Sequence, residues 1–433
     1  MRKDSLWHDK ALLTLCVGET LLMIGLGFLS PILPKFVSVL GVEPAQIGTM
    51  VGLVITVYGI ARATMDLPAG RLAQRWGRRP LLILGPALVT ISALGCGLAT
   101  EYWQLVIFRL LQGLGSAIFS VAAVIVIGEI STPSNRGQYM SFYWGSLLIG
   151  SSLGPTLGGF VGQYLGYRAP FFCFSGLALV ATLWNYLRVP ETKKRRLPPE
   201  PLAPCHSERS EEPSNAQDRL REESEALGNL STQNSARNYP PLYKSLNFML
   251  ICAVSLFTLI TLSGNQITLV PLLGYERLGL REGQVGLTLT LVAAMQFAFV
   301  FLAGRLSDKL GRKTIIVPGG IITTLGLVLF TQSSSYCFFL LSAVVLGIGR
   351  GFGGAVPTAY VADIASPQNY EHTMALYRTI SDIGFVVGPI LLGWLKDTSG
   401  LDFPFFLGAG LLLAAIICFA ALARETVSRS KTH

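Results

Sequence analysis

A few polar side chains in this 433-residue sequence sit where almost everything around them is apolar. Glu19 is the first of these, followed at helical spacing on the same face by Met23, Gly27 and Ser30. If its helix crosses a bilayer, a carboxylate there costs roughly 2.5–3.5 kcal/mol on insertion scales. It must then face a cavity, carry a proton, or be hydrogen-bonded to a neighbouring helix. Arg109 opens a second stripe that continues through Gln112, Ser116 and Ser120. A guanidinium cannot shed its charge, so it requires a carboxylate, carbonyls or water as partner. Later in the chain come Thr258, Thr261, Asn265, Gln266 and Gln296, then Arg350 within Gly347–Gly354, then Tyr377, Arg378, Ser381 and Asp382. Arg378 and Asp382, four apart, either neutralise each other on one helix face or provide a second proton site. Arg62 and Asp66 have the same spacing and read as a local ion pair at a helix end. The inventory suits moving protons or holding a solute. No His–Cys cluster, nucleophile elbow or P-loop is written, so neither catalysis nor ATP hydrolysis is expected, and no metal or cofactor. The seven cysteines (16, 96, 173, 205, 252, 337, 418) lack metal-ligand spacing, and six lie in apolar runs as small hydrophobes.

The elements that would position these residues are visible in composition. Charged residues make up only 14% against 51% hydrophobic, and mean hydropathy is +0.52. Continuous apolar runs of membrane-spanning length recur, without the period-two alternation of a β-barrel. We place spans near 11–33, 46–66, 81–100, 104–128, 139–163 and 168–188. Six more lie near 248–270, 283–303, 315–332, 336–363, 374–395 and 403–424. The expected fold is an all-α membrane protein with twelve transmembrane helices.

The chain also repeats itself. Gly70-Arg-Leu-Ala-Gln74-Arg75-Trp-Gly77-Arg78-Arg79 returns 234 positions later as Gly304-Arg-Leu-Ser-Asp308-Lys-Leu-Gly-Arg312-Lys313. The same offset maps Gly150, Gly154, Pro155 and Gly159 on Gly384, Gly388, Pro389 and Gly393, and Pro133 on Pro367. Two related halves follow: 1–190 and 241–433, joined by a polar, Pro-punctuated linker at 191–240 that reads as disordered and cytoplasmic. The repeat pairs Glu129 with Asp363 and Arg78 with Arg312, predicting ion pairs Arg78–Glu129 and Arg312–Asp363. Small residues at four-residue steps from Gly150 to Gly159 allow close helix crossing in lipid. The net charge of +9 is concentrated in Arg2/Lys3/Lys10, Arg71–Arg79, Lys193–Arg196 and Arg305–Lys313. If the spans alternate, all of these lie on one side, which places both termini and the linker in the cytoplasm. The excess charge therefore reports topology, and no nucleic-acid partner is expected.

The decapeptides resemble the G-x-L-(A/S)-D-R-x-G-R-(R/K) signature of the major facilitator superfamily. Gln74 stands where that signature has an acid, and Asp308 in the second copy keeps it. Three further stretches resemble its twelve-helix drug:proton antiporter branch: Arg109–Ala117, Gly150–Gly159 and Gly25–Pro34. The resemblance implies two pseudo-symmetric six-helix bundles around a central cavity and alternating access by rocking. It also implies that the helix-four arginine, here Arg109, takes part in proton coupling. On this basis the chain is expected to be a monomeric, multi-pass protein of the cell membrane that exchanges protons for a hydrophobic or amphipathic small molecule. Glu19 is the first choice of proton carrier and Asp382 the second, with Arg109 tuning the acid. The expected substrate surface is Met23, Gln112, Ser116, Tyr143, Asn265, Gln296, Arg350, Tyr377, Arg378 and Phe385. The expected conformational motif is Gly70, Gln74, Arg75, Gly77, Arg78, Glu129, Gly150, Gly154, Pro155, Gly159, Gly304, Asp308, Arg312 and Asp363. Two alternatives stay open: a transporter of a polar or anionic metabolite held by arginine forks, and a transporter-like receptor signalling through the linker.

Overall fold

In the computed structural model, residues 10–131, 135–189, 245–365 and 369–426 are described. The linker, Arg2, Lys3, Lys193–Arg196, Cys205, Pro133 and Pro367 lie outside these ranges. The apolar runs are helices: α1 Lys10–Val39, α2 Ile47–Trp76, α3 Arg78–Leu98, α4 Tyr102–Ile130, α5 Arg136–Leu165 and α6 Ala169–Arg188. The second set is α7 Leu246–Leu278, α8 Glu282–Leu310, α9 Arg312–Thr331, α10 Tyr336–Ile364, α11 Tyr370–Ser399 and α12 Phe403–Leu422. Eleven are long and apolar enough to cross a membrane. The exception is α5, 30 residues long, whose apolar content is diluted by glycine, serine and glutamine. Exposed apolar side chains such as Ile91, Leu183 and Ile417 cover the outer surface, the character of a lipid-facing belt.

Several helices outrun the apolar stretches that announce them. The decapeptides are mostly helix, and the turn shrinks to one glycine in each copy. Gly77 (φ 96°) ends α2 and Gly311 (φ 104°) ends α8, in backbone conformations that side chains rarely adopt. Two helices are interrupted. In α7, Thr261–Leu269 forms a π-helical stretch, and the Thr268 hydroxyl reaches back five residues to the carbonyl of Ser263 at 2.8 Å. In α10, the helix breaks at Gly354–Ala355 and resumes at Val356.

Packing follows the duplication. In the first half α1 lies on α5 and α6, α3 on α4 and α6, and α2 on α4. In the second, α7 lies on α11 and α12, α9 on α10 and α12, and α8 on α10. Each contact is the earlier one advanced by six helices, so the molecule is two pseudo-symmetric six-helix bundles. Both belong to one compact unit and meet chiefly at two crossings, α2 with α11 and α5 with α8.

Candidate functional site

The two crossings obey the repeat offset residue by residue in their first halves. Gly52 packs on the Pro389 carbonyl, and Gly286 on the Pro155 carbonyl. The Thr56 hydroxyl donates to Val386 O at 2.7 Å, and the Thr290 hydroxyl to Ser152 O at 2.7 Å. A side chain at any of these glycines would overlap backbone across the interface, so only glycine permits the approach. Gly393 likewise faces Gly48, and Gly159 faces Glu282 and Gly283. Gly150 and Gly154 serve a different contact, against Thr20, Ile24 and Gly27 of α1. At this end the bundles are sealed. The starts of α2 and α8 share it, so the decapeptides share the other end, where the helices separate. Leu67 there is 79% exposed, and Gly70 and Gly304 have no neighbour within 4 Å of where a Cβ would sit.

Between the sealed and the parted ends lies a cavity of about 340 Å³. Its walls are mostly apolar, with Leu26, Leu33, Ile55, Leu148, Ile267 and Phe385 among them. The polar groups are few: Ser30, Tyr58, Arg109, Ser151, Gln266 and Gln296. That balance of greasy wall and sparse polar points is typical of a small-molecule site.

Arg109, 4% exposed, is the charged residue on this wall. It donates to Gln112 Oε1 on its own helix and stacks over the Tyr58 ring, 4.7 Å from the centroid. A cation over an aromatic face gains about 2 kcal/mol when desolvated. Tyr58 in turn donates to Ser116 Oγ at 3.0 Å. Gln112 and Ser116 line a small side pocket with Met23 and Tyr58.

Glu19 is 1% exposed and lies one helical turn behind the wall residue Met23. Tyr143 on α5, itself 1% exposed, donates to Glu19 Oε2 at 3.0 Å, and Oε1 has no hydrogen-bond partner. The basic side chain whose charge acts on Glu19 is Arg62 of α2. The local Arg62–Asp66 ion pair expected from spacing is not formed within 4.0 Å. The charge of Arg62 acts on Glu19 of α1 and on Asp66 of its own helix.

The second half repeats the plan with different chemistry. Tyr377, the repeat partner of Tyr143, shares a 2.8 Å hydrogen bond with Ser255 on α7. Arg350 is buried behind the wall, donating to Thr258 O and Thr261 Oγ1 at 3.3 Å each. Asn265 turns away from the cavity and donates to Pro404 O at 3.2 Å. Of the expected substrate surface, Met23, Gln296 and Phe385 lie on the main wall and Gln112 and Ser116 on the side pocket. Tyr143, Asn265, Arg350 and Tyr377 stand behind it. Arg378 and Asp382 sit at the parted end, 4.0 Å from each other, their side chains 66% and 49% exposed.

The decapeptide ends form both expected ion pairs. Arg78 Nη2 lies 2.5 Å from Glu129 Oε1, and Arg312 Nε lies 3.1 Å from Asp363 Oδ2. Arg312 also donates to Asp308 and Ser307. Gln74 and Arg75 are exposed. Sequence reasoning missed Tyr58 and Ser151 on the wall. For Tyr58 a signal was present: Tyr58, Arg62 and Asp66 follow one another at four-residue steps on α2.

A profile of the Major Facilitator Superfamily matches residues 15–282 and 252–433. Multidrug resistance protein 2 of Bacillus subtilis is 23% identical over 420 residues, covering 96% of each chain. The class B tetracycline resistance protein of Escherichia coli is 24% identical over 387 residues, covering 87% of this chain and 86% of its own. The crystal structure of a D-xylose–proton symporter superposes with a TM-score of 0.72 at 16% identity, covering 96% of this chain and 98% of that one. The doubled bundle, the cavity between its halves and these matches agree that the chain belongs to the major facilitator superfamily and is a multi-pass membrane transporter of small molecules.

Proposed function

We propose that the protein is a proton-coupled exporter of hydrophobic or amphipathic small molecules, working by alternating access. The observation that carries this reading is Glu19: a fully buried carboxyl held by Tyr143, one turn from a predominantly apolar cavity. Intramembrane acids are expensive and are kept where a proton or ion must move. The relatives named for resistance to drugs and tetracycline support export. Basic residues crowd the decapeptide end, which by the positive-inside rule is cytoplasmic. The cavity therefore parts toward the cytoplasm in this conformation. Residues 1–190 and 241–433 are the rocking halves on this reading, and 191–240 their tether.

The test is flux in proteoliposomes. A pH gradient should drive Nile red against its concentration gradient in the wild type, and Glu19→Gln should abolish the driven component while leaving dye exchange intact. Undiminished driven transport in that variant would move the proton site elsewhere.

One observation favours a second reading. Arg109 donates to Gln112 and lies over the Tyr58 ring, and among the described residues no carboxylate pairs with it within 4.0 Å, so an organic anion can take that place. Proton-dependent flux of acidic metabolites, with no dye transport, would select it.

A further inference from the structure

A proline inside a helix has no N–H for the carbonyl four residues before it. Pro31 and Pro34 in α1, Pro155 in α5 and Pro389 in α11 are such prolines. The carbonyls they free belong to Gly27, Ser30, Ser151 and Phe385, and every one of these residues is on the cavity wall. Pro68, Pro86 and Pro318 free those of Thr64, Leu82 and Thr314, none of which is. Gly27, without a side chain, meets the cavity with backbone alone. Away from the cavity the same kinks are repaired from within the protein. The Thr290 hydroxyl of α8 receives the Thr156 N–H at 3.1 Å and donates to Ser152 O at 2.7 Å. Thr56 of α2 donates to Val386 O at 2.7 Å, Tyr275 of α7 to Pro31 O, and Ser38 to Pro34 O at 3.1 Å. No side chain among the described residues donates to the carbonyls of Gly27, Ser30, Ser151 or Phe385. The hydroxyl of Ser151 goes to Leu148 O at 3.0 Å and that of Tyr58 to Ser116. A further acceptor stands across the cavity: Gln266, 8% exposed on the π-helical stretch, has no partner for its Oε1. α5 and α11 finish at the sealed end, where Gln163 and Asp397 hold the starts of α8 and α2, and α1 finishes there too. Helix carbonyls point toward the C-terminus, so the freed ones face the roof of the cavity.

We propose that this acceptor-rich roof is a specificity subsite for uncharged hydrogen-bond donors, so that the transported molecule carries hydroxyl or amide N–H groups on an apolar body. The inference rests on the reading of the protein as an exporter of amphipathic molecules, and narrows it. A carbonyl freed in an apolar wall is met by water or by a ligand. A wholly apolar solute that displaces the water leaves the carbonyl unmet, and the lost hydrogen bonds offset what its surface gains. A solute with its own donors keeps both contributions. A cation would also suit carbonyl oxygens, but the charged group of the same wall is the Arg109 guanidinium, which repels it. Uncharged donors satisfy the carbonyls without that opposition. The repaired carbonyls at the crossings hold the two halves together, while the unrepaired ones are left for the solute.

Binding to the purified protein in detergent, read by thermal shift, tests the preference without transport. At about pH 6 a phenol stays protonated. There para-heptylphenol should bind about tenfold more tightly than para-heptylanisole, in which a methyl group replaces the hydroxyl hydrogen. The cation para-heptylbenzylammonium should bind no better than the anisole. Pro34→Ala returns an N–H to Ser30 O and should cut the phenol preference severalfold. Gln266→Leu removes an acceptor while keeping bulk, and should do the same. Each variant is compared with the wild type at one detergent concentration, which cancels partitioning into micelles. Equal binding of phenol and anisole by the wild type overturns the proposal, and so does an undiminished preference in both variants. Should Pro34→Ala fail to fold, an undiminished preference in Gln266→Leu overturns it alone. Tighter binding of the ammonium than of the phenol overturns the assignment to uncharged donors. Nile red flux run alongside separates the two readings, since a preference of this size still passes a dye without donors. Loss of dye flux with the phenol preference intact removes the export reading; dye flux without the preference removes only this subsite.

Discussion

Asp397, at the end of α11, accepts a hydrogen bond from the Thr49 backbone N–H at 2.6 Å, capping the first turn of α2 in the opposite bundle. The same carboxylate takes the Thr49 hydroxyl at 2.7 Å and the Gly48 N–H at 3.0 Å. Lys396 beside it reaches Glu276 of α7 at 2.8 Å. The repeat equivalent is Gln163, whose Oε1 accepts from the Gly283 N–H at 3.2 Å at the start of α8. One seal is thus a carboxylate on a helix N-terminus and the other a neutral amide, and charge assistance makes the first the stronger. Asp397→Asn should weaken the seal by about 1–2 kcal/mol, raising the population open at this end roughly tenfold. In a cysteine-free background carrying Ser30→Cys, labelling by an impermeant thiol reagent added outside should speed up accordingly. Gln163→Ala should give a smaller change, and an unchanged rate in Asp397→Asn would mean that the cap does not hold the seal.

The tyrosines 143 and 377 occupy one position of the duplicated design, yet only one faces an acid. Tyr143→Phe removes the sole hydrogen bond the structure gives the Glu19 carboxyl, so it should lower proton-driven transport severalfold while equilibrium exchange persists. Tyr377→Phe costs a neutral hydrogen bond to Ser255, about 1 kcal/mol of stability, and should leave the ratio of driven transport to exchange unchanged. Equal loss of coupling in both would show that the tyrosine, not the acid, is what matters.

The architecture was legible because membrane spans and duplications are written in composition and offset, both of which survive without tertiary detail. The Arg78–Glu129 and Arg312–Asp363 pairs were legible for the same reason: one geometric constraint, stated twice. What stayed hidden depends on approach between distant helices. No periodicity says that Gly52 meets Pro389 or that Thr56 reaches Val386. Nor does spacing reveal that the charge of Arg62 acts on Glu19 of α1 as well as on Asp66 of its own helix, since that approach exists only once the bundle is packed. The π-helical stretch at Thr261–Leu269 has no mark in the apolar pattern, because one extra residue in a turn leaves the composition unchanged.

The glycines at the two crossings and those of the decapeptides form two classes that mutation should separate. A side chain at Gly52 or Gly286 overlaps the carbonyl of Pro389 or Pro155. Valine at either position should force the crossings apart, at a cost of about 1–3 kcal/mol in this conformation, and shift the protein toward a form open at the crossings. Gly70→Ala meets nothing within 4 Å here and should leave the melting temperature of this form unchanged. A thermal-shift measurement in detergent reads both. Destabilisation by Gly70→Ala equal to that of Gly52→Val would mean that the decapeptide ends are packed in the form being melted.

The two decapeptide ion pairs offer a matched comparison within one molecule. In the Arg78–Glu129 pair the side chains are 17% and 31% exposed, and in the Arg312–Asp363 pair 15% and 32%. At such half-solvated positions a pair contributes about 0.5–1 kcal/mol, and salt screens part of it. Double-mutant cycles with alanine at each pair should therefore return similar coupling energies in that range, shrinking as ionic strength rises toward 1 M. Arg312→Ala should cost more than Asp363→Ala, because Arg312 also holds Asp308 and Ser307. Strictly additive single-mutant effects at both pairs would show that the repeated geometry fixes the helix ends without the charges contributing to stability.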